Sequence, residues 1–347
     1  MKPVKRQPIN RGDRGIVLIA LLWVLVALAL LALNLASTTR AETNVAQAFG
    51  EAERCYFHAR GALEAVLYQL SFSKRDAETQ ARLFPYGGGM NHAWVRSDEI
   101  DCHVIIQDEA GKLNLNLAKE EIIERMLTLL NATGEQRAAL MDVIEKRRKP
   151  ASNGGAPQPP RPFNSVEELL QVKEVSRELL YGAHTRDTNG RVVSRRGLVD
   201  FLTVHPGTRT VNITSAEPEV LAALPGMDMG SAQSVVASRQ ASAFTTADLA
   251  QRTSGTIPGA AVSHVTASSS GCYCLVSIAW VKGSRVRRSI KVVVRLNPGS
   301  KFGHQRLAWY DEHWPSPEIL KWIDFSPEKG LESQSARTFN PFLQEFS

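Results

Sequence analysis

Residues 14–33 read RGIVLIALLWVLVALALLAL, and their composition determines the structure expected for the amino-terminal part of the chain. The run from Ile16 to Leu33 holds 18 consecutive apolar residues. As a helix it would extend about 27 Å, close to the thickness of a bilayer core. Residues 1–15 carry five basic side chains against one acidic one. The sequence therefore predicts a single anchor whose amino terminus stays cytoplasmic while the remaining chain is exported.

A conventionally cleaved signal peptide is the alternative explanation of this segment. Such a peptide needs small residues at positions −3 and −1 after the apolar run. The best candidate is Asn34-Leu35-Ala36, and Asn34 is poorly suited to −3. Retention of the apolar segment is favoured.

Composition excludes several classes of protein. The chain has 347 residues, of which 43% are hydrophobic and 22% charged, which rules out a disordered chain, a collagen or a disulfide miniprotein. The net charge is +6, and +4 of it lies in residues 1–15. The nearly neutral remainder does not predict a polyanion-binding protein.

The apolar run continues into an amphipathic pattern without an intervening proline. Apolar residues advance by alternating steps of four and three, which predicts one helical face. They are Val45, Phe49, Ala52, Tyr56, Ala59, Leu63, Val66 and Leu70. The two patterns together predict one helix over about 16–70, roughly 80 Å long.

Alternating segments near both ends of the remaining chain predict a small antiparallel sheet for this helix to cover. The segments are Cys102 to Gln107, Cys272 to Lys282 and Arg285 to Leu296. Cys272 and Cys274 point to one face at this spacing, which is typical of buried thiols. A disulfide from Cys102 to one of them is the alternative.

The segment between these strands predicts an all-α domain built from a repeat. Asn114, Ala118 and Glu121 recur at an offset of 98 as Asn212, Ala216 and Glu219. Each copy runs into a helix, a turn and a second helix, which ends at Arg148 in one copy and Arg239 in the other. The domain therefore reads as paired helical hairpins. Gly197 to Val204 reads as a further strand.

The second copy contains Leu221-Ala222-Ala223-Leu224-Pro225-Gly226-Met227, which resembles the helix-hairpin-helix motif of DNA-repair and DNA-uptake proteins. In that motif hairpin amides bind backbone phosphates. Asp228 replaces the usual second glycine, and its carboxylate would repel a phosphate. A packing module is therefore favoured over DNA binding, and a DNA-binding pseudopilin or anchored DNA-uptake protein is the alternative function.

Arg14-Gly15-Ile16 before the apolar run resembles the prepilin signal of type IV pilins and type II secretion pseudopilins. The remaining landmarks resemble the K subunit of type II secretion, over almost the whole chain to about Trp309. They are DEAGKLNLN at Asp108 to Asn116, PFNSVEELLQV at Pro162 to Val172 and FLTVHPGTRTVNITSAEPEVLAALPGM at Phe201 to Met227.

This resemblance implies an α+β fold: a pilin-like amino-terminal helix on a small antiparallel sheet, with an inserted all-α domain of the helix-hairpin-helix or SAM-like kind. The expected divisions are a leader (1–15), a spine helix (16–70), the pilin body (71–112 and 261–312), the insert (113–260) and a tail (313–347). It implies cleavage after Gly15 and methylation of Ile16 by a prepilin peptidase. Most pseudopilins carry Glu at the position of Ala20, and its loss resembles a tip subunit.

By the same resemblance the protein is an inner-membrane, single-pass minor pseudopilin with a periplasmic body. It would initiate and cap the pseudopilus during export of folded proteins across the outer membrane. Its partners would be I- and J-type minor pseudopilins and the inner-membrane platform. No enzyme motif, cofactor or metal site is predicted, and nucleic acid is not an expected partner. The acidic segment with which K subunits hold calcium corresponds here to a largely basic stretch, residues 141–149, so calcium binding is not carried over.

Overall fold

The computed structural model describes residues 13–72, 91–149, 160–186, 192–241, 257–297 and 299–311. Most of the predicted leader and the whole predicted tail lie outside these residues.

Helix α1 (Asp13–Phe72) confirms the continuous helix predicted for the amino-terminal part of the chain. The structure divides after Arg54. Before that point the helix exposes large apolar side chains, including Trp23 and Leu31. Within the described residues α1 is long and apolar enough to cross a membrane, with a mean hydropathy of 2.8 in its most apolar window. The described residues therefore contain one helix that fits the predicted membrane anchor.

Five of the described strands form one antiparallel sheet. In spatial order they are β1 (Asn91–Arg96), β2 (Ile100–Asp108), β9 (Cys272–Val281), β10 (Arg287–Leu296) and β11 (His304–Tyr310). The three strands expected from sequence are confirmed, and β1 and β11 extend the sheet on either side. Asp108 at the end of β2 pairs with Tyr273 at the start of β9. The insert therefore leaves and re-enters the sheet between two neighbouring strands.

The part of α1 from Cys55 onward packs on one face of this sheet. Its buried side chains are Cys55, Ala59, Ala62, Leu63, Val66 and Leu67. The predicted stripe is thus right at Ala59, Leu63 and Val66, whereas Tyr56 and Leu70 lie at the edge of the core. The alternating pattern of β9 is typical of a half-buried strand, but both of its faces are buried over most of its length. The reason is its central position, with a second apolar cluster around Ile105, Val276 and Ile278 on the face away from α1.

The inserted domain has its own apolar core and consists of two units. The first unit contains β3 (Leu113–Asn114), α2 (Glu120–Leu129), α3 (Gly134–Arg148), a 3-10 helix (Val166–Gln171), α4 (Arg177–Tyr181), the hairpin β4 (Ala183–Arg186) and β5 (Val192–Arg195), α5 (Leu198–Phe201) and β6 (Leu202–Thr203). The second unit contains β7 (Val211–Asn212), α6 (Pro218–Ala222), α7 (Met229–Ala241), α8 (Gly259–Val262) and β8 (Val265–Thr266).

Three expectations about the insert need correction. The resemblance implies an all-α domain, but the insert also contains three pairs of short strands, β3 with β6, β4 with β5 and β7 with β8. The segment expected as a strand over Gly197 to Val204 begins as helix α5, because the Asp200 carboxylate accepts from the Gly197 amide 3.0 Å away and caps the turn. Only Leu202–Thr203 is extended. The insert also continues beyond residue 260, since β8 still pairs with β7.

Candidate functional site

Each unit of the insert opens and closes on a pair of short parallel strands. In the first unit β3 pairs with β6, and in the second unit β7 pairs with β8. The Leu115 amide continues the first ladder with a 2.7 Å bond to the Thr203 carbonyl. The Ile213 amide makes the equivalent 2.8 Å bond to the Thr266 carbonyl. The repeat seen in sequence is therefore a closed structural unit, and its closing strands are too short to leave a sequence signal.

An asparagine ends the opening strand of each unit. Asn114 accepts the amides of Asn116 and Leu117 on its Oδ1 atom, at 2.9 and 3.1 Å. Asn212 accepts the Thr214 amide on its Oδ1 atom at 3.1 Å. Both side chains are buried. In each unit the asparagine Oδ1 atom accepts backbone amides just beyond the opening strand. These bonds take the place of further strand pairing, and the chain turns toward the helical hairpin.

An arginine from the second helix of each hairpin binds the carbonyl groups of this same turn. Arg148 donates from Nη1 to the Ala118 carbonyl at 2.8 Å and also binds the Leu115 carbonyl. Arg239 donates from Nη1 to the Ile213 carbonyl at 3.0 Å and to the Ala216 carbonyl at 2.5 Å. These four carbonyls occupy matching positions in the repeat. Burial lowers the pKa of both guanidinium groups below the usual value, and the carbonyl oxygens accept hydrogen bonds from both groups.

The hairpin turns also correspond, although only one contains glycine. Asn131 has φ +58° in the first turn, and Gly226 has φ +76° in the second. Two residues later, Thr133 Oγ1 accepts the Gln136 amide and Asp228 Oδ1 accepts the Ser231 amide, which caps α3 and α7 respectively. Sequence comparison missed this match because the first unit has no Pro-Gly pair. The available signal was Asn131, since asparagine adopts left-handed backbone conformations more readily than other non-glycine residues.

The second hairpin turn is occupied by contacts within the insert. Arg125 of the first unit donates to the Met227 carbonyl at 2.8 Å and to the Ala222 carbonyl at 3.2 Å. The hydrogen bond from the Ser231 amide lowers the pKa of Asp228, so this carboxyl is ionised at neutral pH. A phosphate approaching this helix terminus would meet that negative charge. The geometry favours packing between the two units over DNA backbone binding.

A joint of buried polar residues connects the insert to the sheet at Asp108 to Lys112. Asp108 Oδ2 accepts from Asn212 Nδ2 of the second unit at 2.9 Å. Asp108 Oδ1 accepts the Ala110 amide at 2.9 Å and caps a 3-10 turn over Glu109–Gly111. Burial raises the pKa of Asp108, and these hydrogen bonds oppose that shift. The end of β2 is therefore fastened to the second unit.

The next residue fastens β2 to the first unit. Glu109 Oε1 pairs with Lys112 Nζ at 2.9 Å, and both side chains are less than a tenth exposed. Thr203 Oγ1, in the closing strand β6, donates to Glu109 Oε2. Burial alone would raise the pKa of Glu109, but the Lys112 charge and these hydrogen bonds lower it. For Lys112 the effect of burial is likewise outweighed by Glu109, which raises its pKa, so both groups stay charged.

Gly111 allows the closest approach within this joint. A Cβ atom at this position would lie 2.8 Å from the backbone carbonyl of Ser215 in the second unit. No larger residue fits there without moving backbone atoms. The DEAGK segment recognised in sequence is therefore the physical connection between the sheet and both units.

The predicted processing residues lie in α1. Gly15 and Ile16 are within its first turn, and Ala20 is exposed one turn later. Nothing in the geometry of these residues tests cleavage or methylation, which remain predictions.

The four cysteines are all buried thiols, and the sheet register does not bring together the pairs that the sequence suggested. Cys102 faces Ala279 on β9, whereas Cys274 faces Gln107, five residues further along β2. Five residues of a strand extend about 17 Å, and a disulfide requires Cα atoms within about 7 Å. Cys102 and Cys274 also belong to apolar clusters on opposite faces of the sheet. The alternative of a disulfide from Cys102 to Cys272 or Cys274 is therefore not compatible with this fold.

An amino-terminal spine helix on an antiparallel sheet, interrupted by a two-unit helical insert, confirms the predicted α+β fold and defines a pilin-like protein with an inserted domain. Residues 211–265 match the family described as Type II secretion system (T2SS), protein K. The matched segment begins at β7 and ends in β8, so it covers the second unit almost completely. The match confirms the resemblance to the K-type minor pseudopilin of type II secretion, a structural component of that system.

Comparison with solved structures gives a likeness to a chain of the crystal structure of the GspK-GspI-GspJ complex from the enterotoxigenic Escherichia coli type 2 secretion system. The two chains share 15% identical residues with a TM-score of 0.47, and the alignment covers 80% of this chain and 99% of that chain. The comparison with curated proteins found no match.

Proposed function

We propose that the protein forms the tip of the type II secretion pseudopilus, where it initiates assembly and caps the filament during export of folded proteins across the outer membrane. The observation that carries this proposal is the match of residues 211–265 to protein K. The joint at Asp108 to Lys112 supports it, because a large insert fixed to the pilin sheet by buried polar contacts is a rigid obstacle to further subunits.

The proposed location is the inner membrane, with one span, a cytoplasmic amino terminus and a periplasmic body. The apolar surface of α1 before Arg54 supports the span. The positive charge of residues 1–15 supports the orientation, since basic segments stay on the cytoplasmic side. We retain the proposed leader at 1–15 and the pilin body on both sides of the insert.

Ala20 supports a position at the end of the filament. A glutamate at this position would offer a carboxylate to the amine of the neighbouring subunit within an apolar environment, where an unpaired charge is costly. Ala20 cannot do so. A subunit that no other subunit follows does not need this acceptor. By the K resemblance, its partners are the I- and J-type minor pseudopilins, the inner-membrane platform and the prepilin peptidase.

The first experiment is the intact mass and amino-terminal sequence of the chain purified from its own membranes. We expect a chain that begins at methylated Ile16. A chain that begins at Met1 or at Ser37 would contradict filament entry.

A second experiment tests the role of Ala20 with a charged variant and a matched neutral one. Strains lacking the gene are complemented with wild type, Ala20→Glu or Ala20→Gln, and the total secreted protein and the recovery of partner pseudopilins are measured. We expect Ala20→Gln to behave as wild type and Ala20→Glu to reduce tip-complex recovery and secretion several-fold. Equal secretion and equal partner recovery for all three would contradict the proposed role of Ala20.

A further inference from the structure

The part of α1 that packs on the sheet carries exposed aromatic side chains on its outward face. Phe57, Tyr68 and Phe72 lie within about 60° of one another around the helix axis, and roughly opposite the buried Ala59. Their exposed fractions are 62%, 65% and 50%. The Tyr68 and Phe72 rings are neighbours, with centroids 5.2 Å apart. These three residues form an aromatic stripe, and exposed apolar surface of this kind is typical of an interaction site.

Strand β11 follows this part of α1 in the opposite direction. At its start, His304 Nδ1 is 3.1 Å from Ser71 Oγ, near the carboxyl end of the helix. Immediately after its last residue, Asp311 Oδ1 accepts a hydrogen bond from Tyr56 Oη at 3.0 Å. The chain therefore leaves the sheet beside Tyr56, next to the end of the aromatic stripe that Phe57 forms.

The sequence that follows Asp311 supplies an apolar segment almost at once. Residues 314–325 read WPSPEILKWIDF, and half of these side chains are large and apolar. They are Trp314, Ile319, Leu320, Trp322, Ile323 and Phe325. We refer to residues 314–325 as the apolar tail segment.

The apolar tail segment starts close enough to the aromatic stripe, and is long enough, to cover it. Trp314 is three residues beyond Asp311, which limits the separation of their Cα atoms to about 11 Å. From Phe57 to Phe72 the stripe extends about 22 Å along the helix, whereas the segment extends up to about 40 Å. A short tether of this kind gives an effective concentration in the millimolar range, so a separate molecule competes poorly for the same surface.

We propose that the apolar tail segment covers the aromatic stripe of α1 in the same chain. Its indole and alkyl side chains would remove the stripe from water, and the stripe would do the same for them. A second copy of the chain or a different protein must then displace the segment before it can bind this face of α1. The contact is independent of the function and the location proposed above.

The first test measures how accessible the stripe is with and without the tail. Tyr68→Cys places a thiol in the stripe, and the four native thiols are buried. The variant is treated with a maleimide in its own membranes, as the full chain and as a chain that stops after Asp311. Removal of residues 312–347 should raise the labelling rate several-fold, because the thiol is no longer covered. An unchanged rate would overturn the proposal.

Two controls separate loss of cover from loss of folding. Tyr181→Cys places a thiol at another exposed aromatic position, in the insert, and its labelling rate should be the same for both chain lengths. In the full chain with Tyr68→Cys, the pair Trp322→Ser and Ile323→Ser should raise the rate as truncation does. Lys329→Ser, outside the apolar tail segment, should leave the rate unchanged.

A photo-cross-link identifies what covers the stripe. p-Benzoylphenylalanine in place of Tyr68 is irradiated in the full chain in its membranes, and the product is separated under denaturing conditions and digested with trypsin. We expect a product of single-chain mass in which the probe is joined to WIDFSPEK (residues 322–329), a peptide that lies wholly beyond Asp311. A product of twice that mass would show that a second copy covers the stripe, and a link to another protein or to lipid would identify that occupant instead. Each of these three results would overturn the proposal.

Discussion

The two units of the insert share one architecture but differ in what their matching residues contact. Asn114 and Asn212 end the opening strands and cap the same turn, yet their Nδ2 atoms have different acceptors. Asn114 donates to the Pro206 carbonyl in the connection between the units, and Asn212 donates to the Asp108 carboxylate at the end of β2. One copy of the motif therefore holds the insert together, and the other also connects it to the sheet. A repeat can thus keep its backbone while one copy acquires a new role.

The second unit is also the shorter one. Its first helix, α6, has five residues where α2 has ten. The shorter helix still presents Ala222 and Met227 carbonyls to Arg125 of the first unit. Because the second unit relies on these contacts and on the joint, we expect its residues to be the more sensitive to substitution. Four predictions test this comparison.

The largest effect is expected at the asparagine pair. Asn212→Ala removes a donor to the buried Asp108 carboxylate as well as the cap of the turn, and should cost about 3–4 kcal/mol. Asn114→Ala removes the same cap but leaves no carboxylate without its donor, and should cost about 1–3 kcal/mol. Thermal or denaturant unfolding of the full chain in detergent measures both. Equal losses would contradict the special role of the second unit.

The pH dependence of the Asn212→Ala penalty provides a control. Burial raises the pKa of Asp108, so the folded chain binds a proton at this site more readily than the unfolded chain. In the variant the ionised carboxyl has lost the Asn212 donor at Oδ2, whereas a protonated carboxyl does not require that donor. The penalty should therefore shrink as the pH is lowered toward the Asp108 pKa, and the Asn114→Ala penalty should not.

The arginine pair comes next. Arg239→Ala leaves the Ile213 and Ala216 carbonyls without their donor in a buried turn, and should cost about 3 kcal/mol. Arg148→Ala exposes the matching carbonyls at a half-buried site, where water replaces part of the loss, and should cost about 2 kcal/mol. Amide hydrogen exchange resolves the two units separately. Faster exchange in the unit that was not mutated would show that the units do not open independently.

Substituting the residue with a left-handed backbone in each turn should change the free energy of unfolding by a smaller amount. The change should be larger in the second unit than in the first. Gly226→Asn would place a Cβ atom 3.0 Å from that of Pro258 at φ +76°, and should cost about 1–2 kcal/mol. Asn131→Gly relieves a positive φ but increases the entropy of the unfolded chain, and should change the free energy of unfolding by less than about 1 kcal/mol. The same unfolding measurement compares the free-energy changes of the two variants. A loss at Asn131 as large as that at Gly226 would show that the Asn131 side chain, and not its backbone conformation, fixes the first turn.

Features with a regular period were predictable from the sequence. The helix over 16–70 and the three central strands follow from apolar spacing, and the matched pair of hairpins follows from the repeat. What escaped prediction is set by contacts between distant segments. The closing strands β6 and β8 have two residues each, and their extended state depends on the ladder with β3 and β7. Gly197 to Val204 reads as a strand in the sequence, but the local cap by Asp200 starts a helix.

The joint at Asp108 to Lys112 likewise has one feature that the sequence reveals and another that only contacts between distant segments reveal. The DEAGK segment was recognisable as a landmark, but its chemistry was not, since Asp108 contacts Asn212 and Glu109 contacts Thr203, about a hundred residues away. The boundary of the insert was set too early for a similar reason, because β8 completes the second unit only by pairing with β7. A sequence periodicity identifies elements, whereas buried polar partners determine how the elements are joined.

The smallest expected effect concerns the two helix caps, and pH separates them. The Ser231 amide lowers the pKa of Asp228 below its usual 3.8, so its contribution to stability is present above that value and is lost as the pH falls through the lower pKa of the folded state. Thr133 caps α3 without a titrating group. Asp228→Thr, which moves the first unit's cap into the second, should change stability little at pH 7 and should abolish the loss of α7 protection in acid. Thr133→Asp should confer that loss on α3. Hydrogen exchange of the α3 and α7 amides between pH 7 and about pH 3, corrected for the intrinsic exchange rate, measures both effects. If α7 opens equally in acid with Asp228 or with Thr at this position, the helix is held by its contacts with the first unit, and the two caps are not equivalent in function despite their matching geometry.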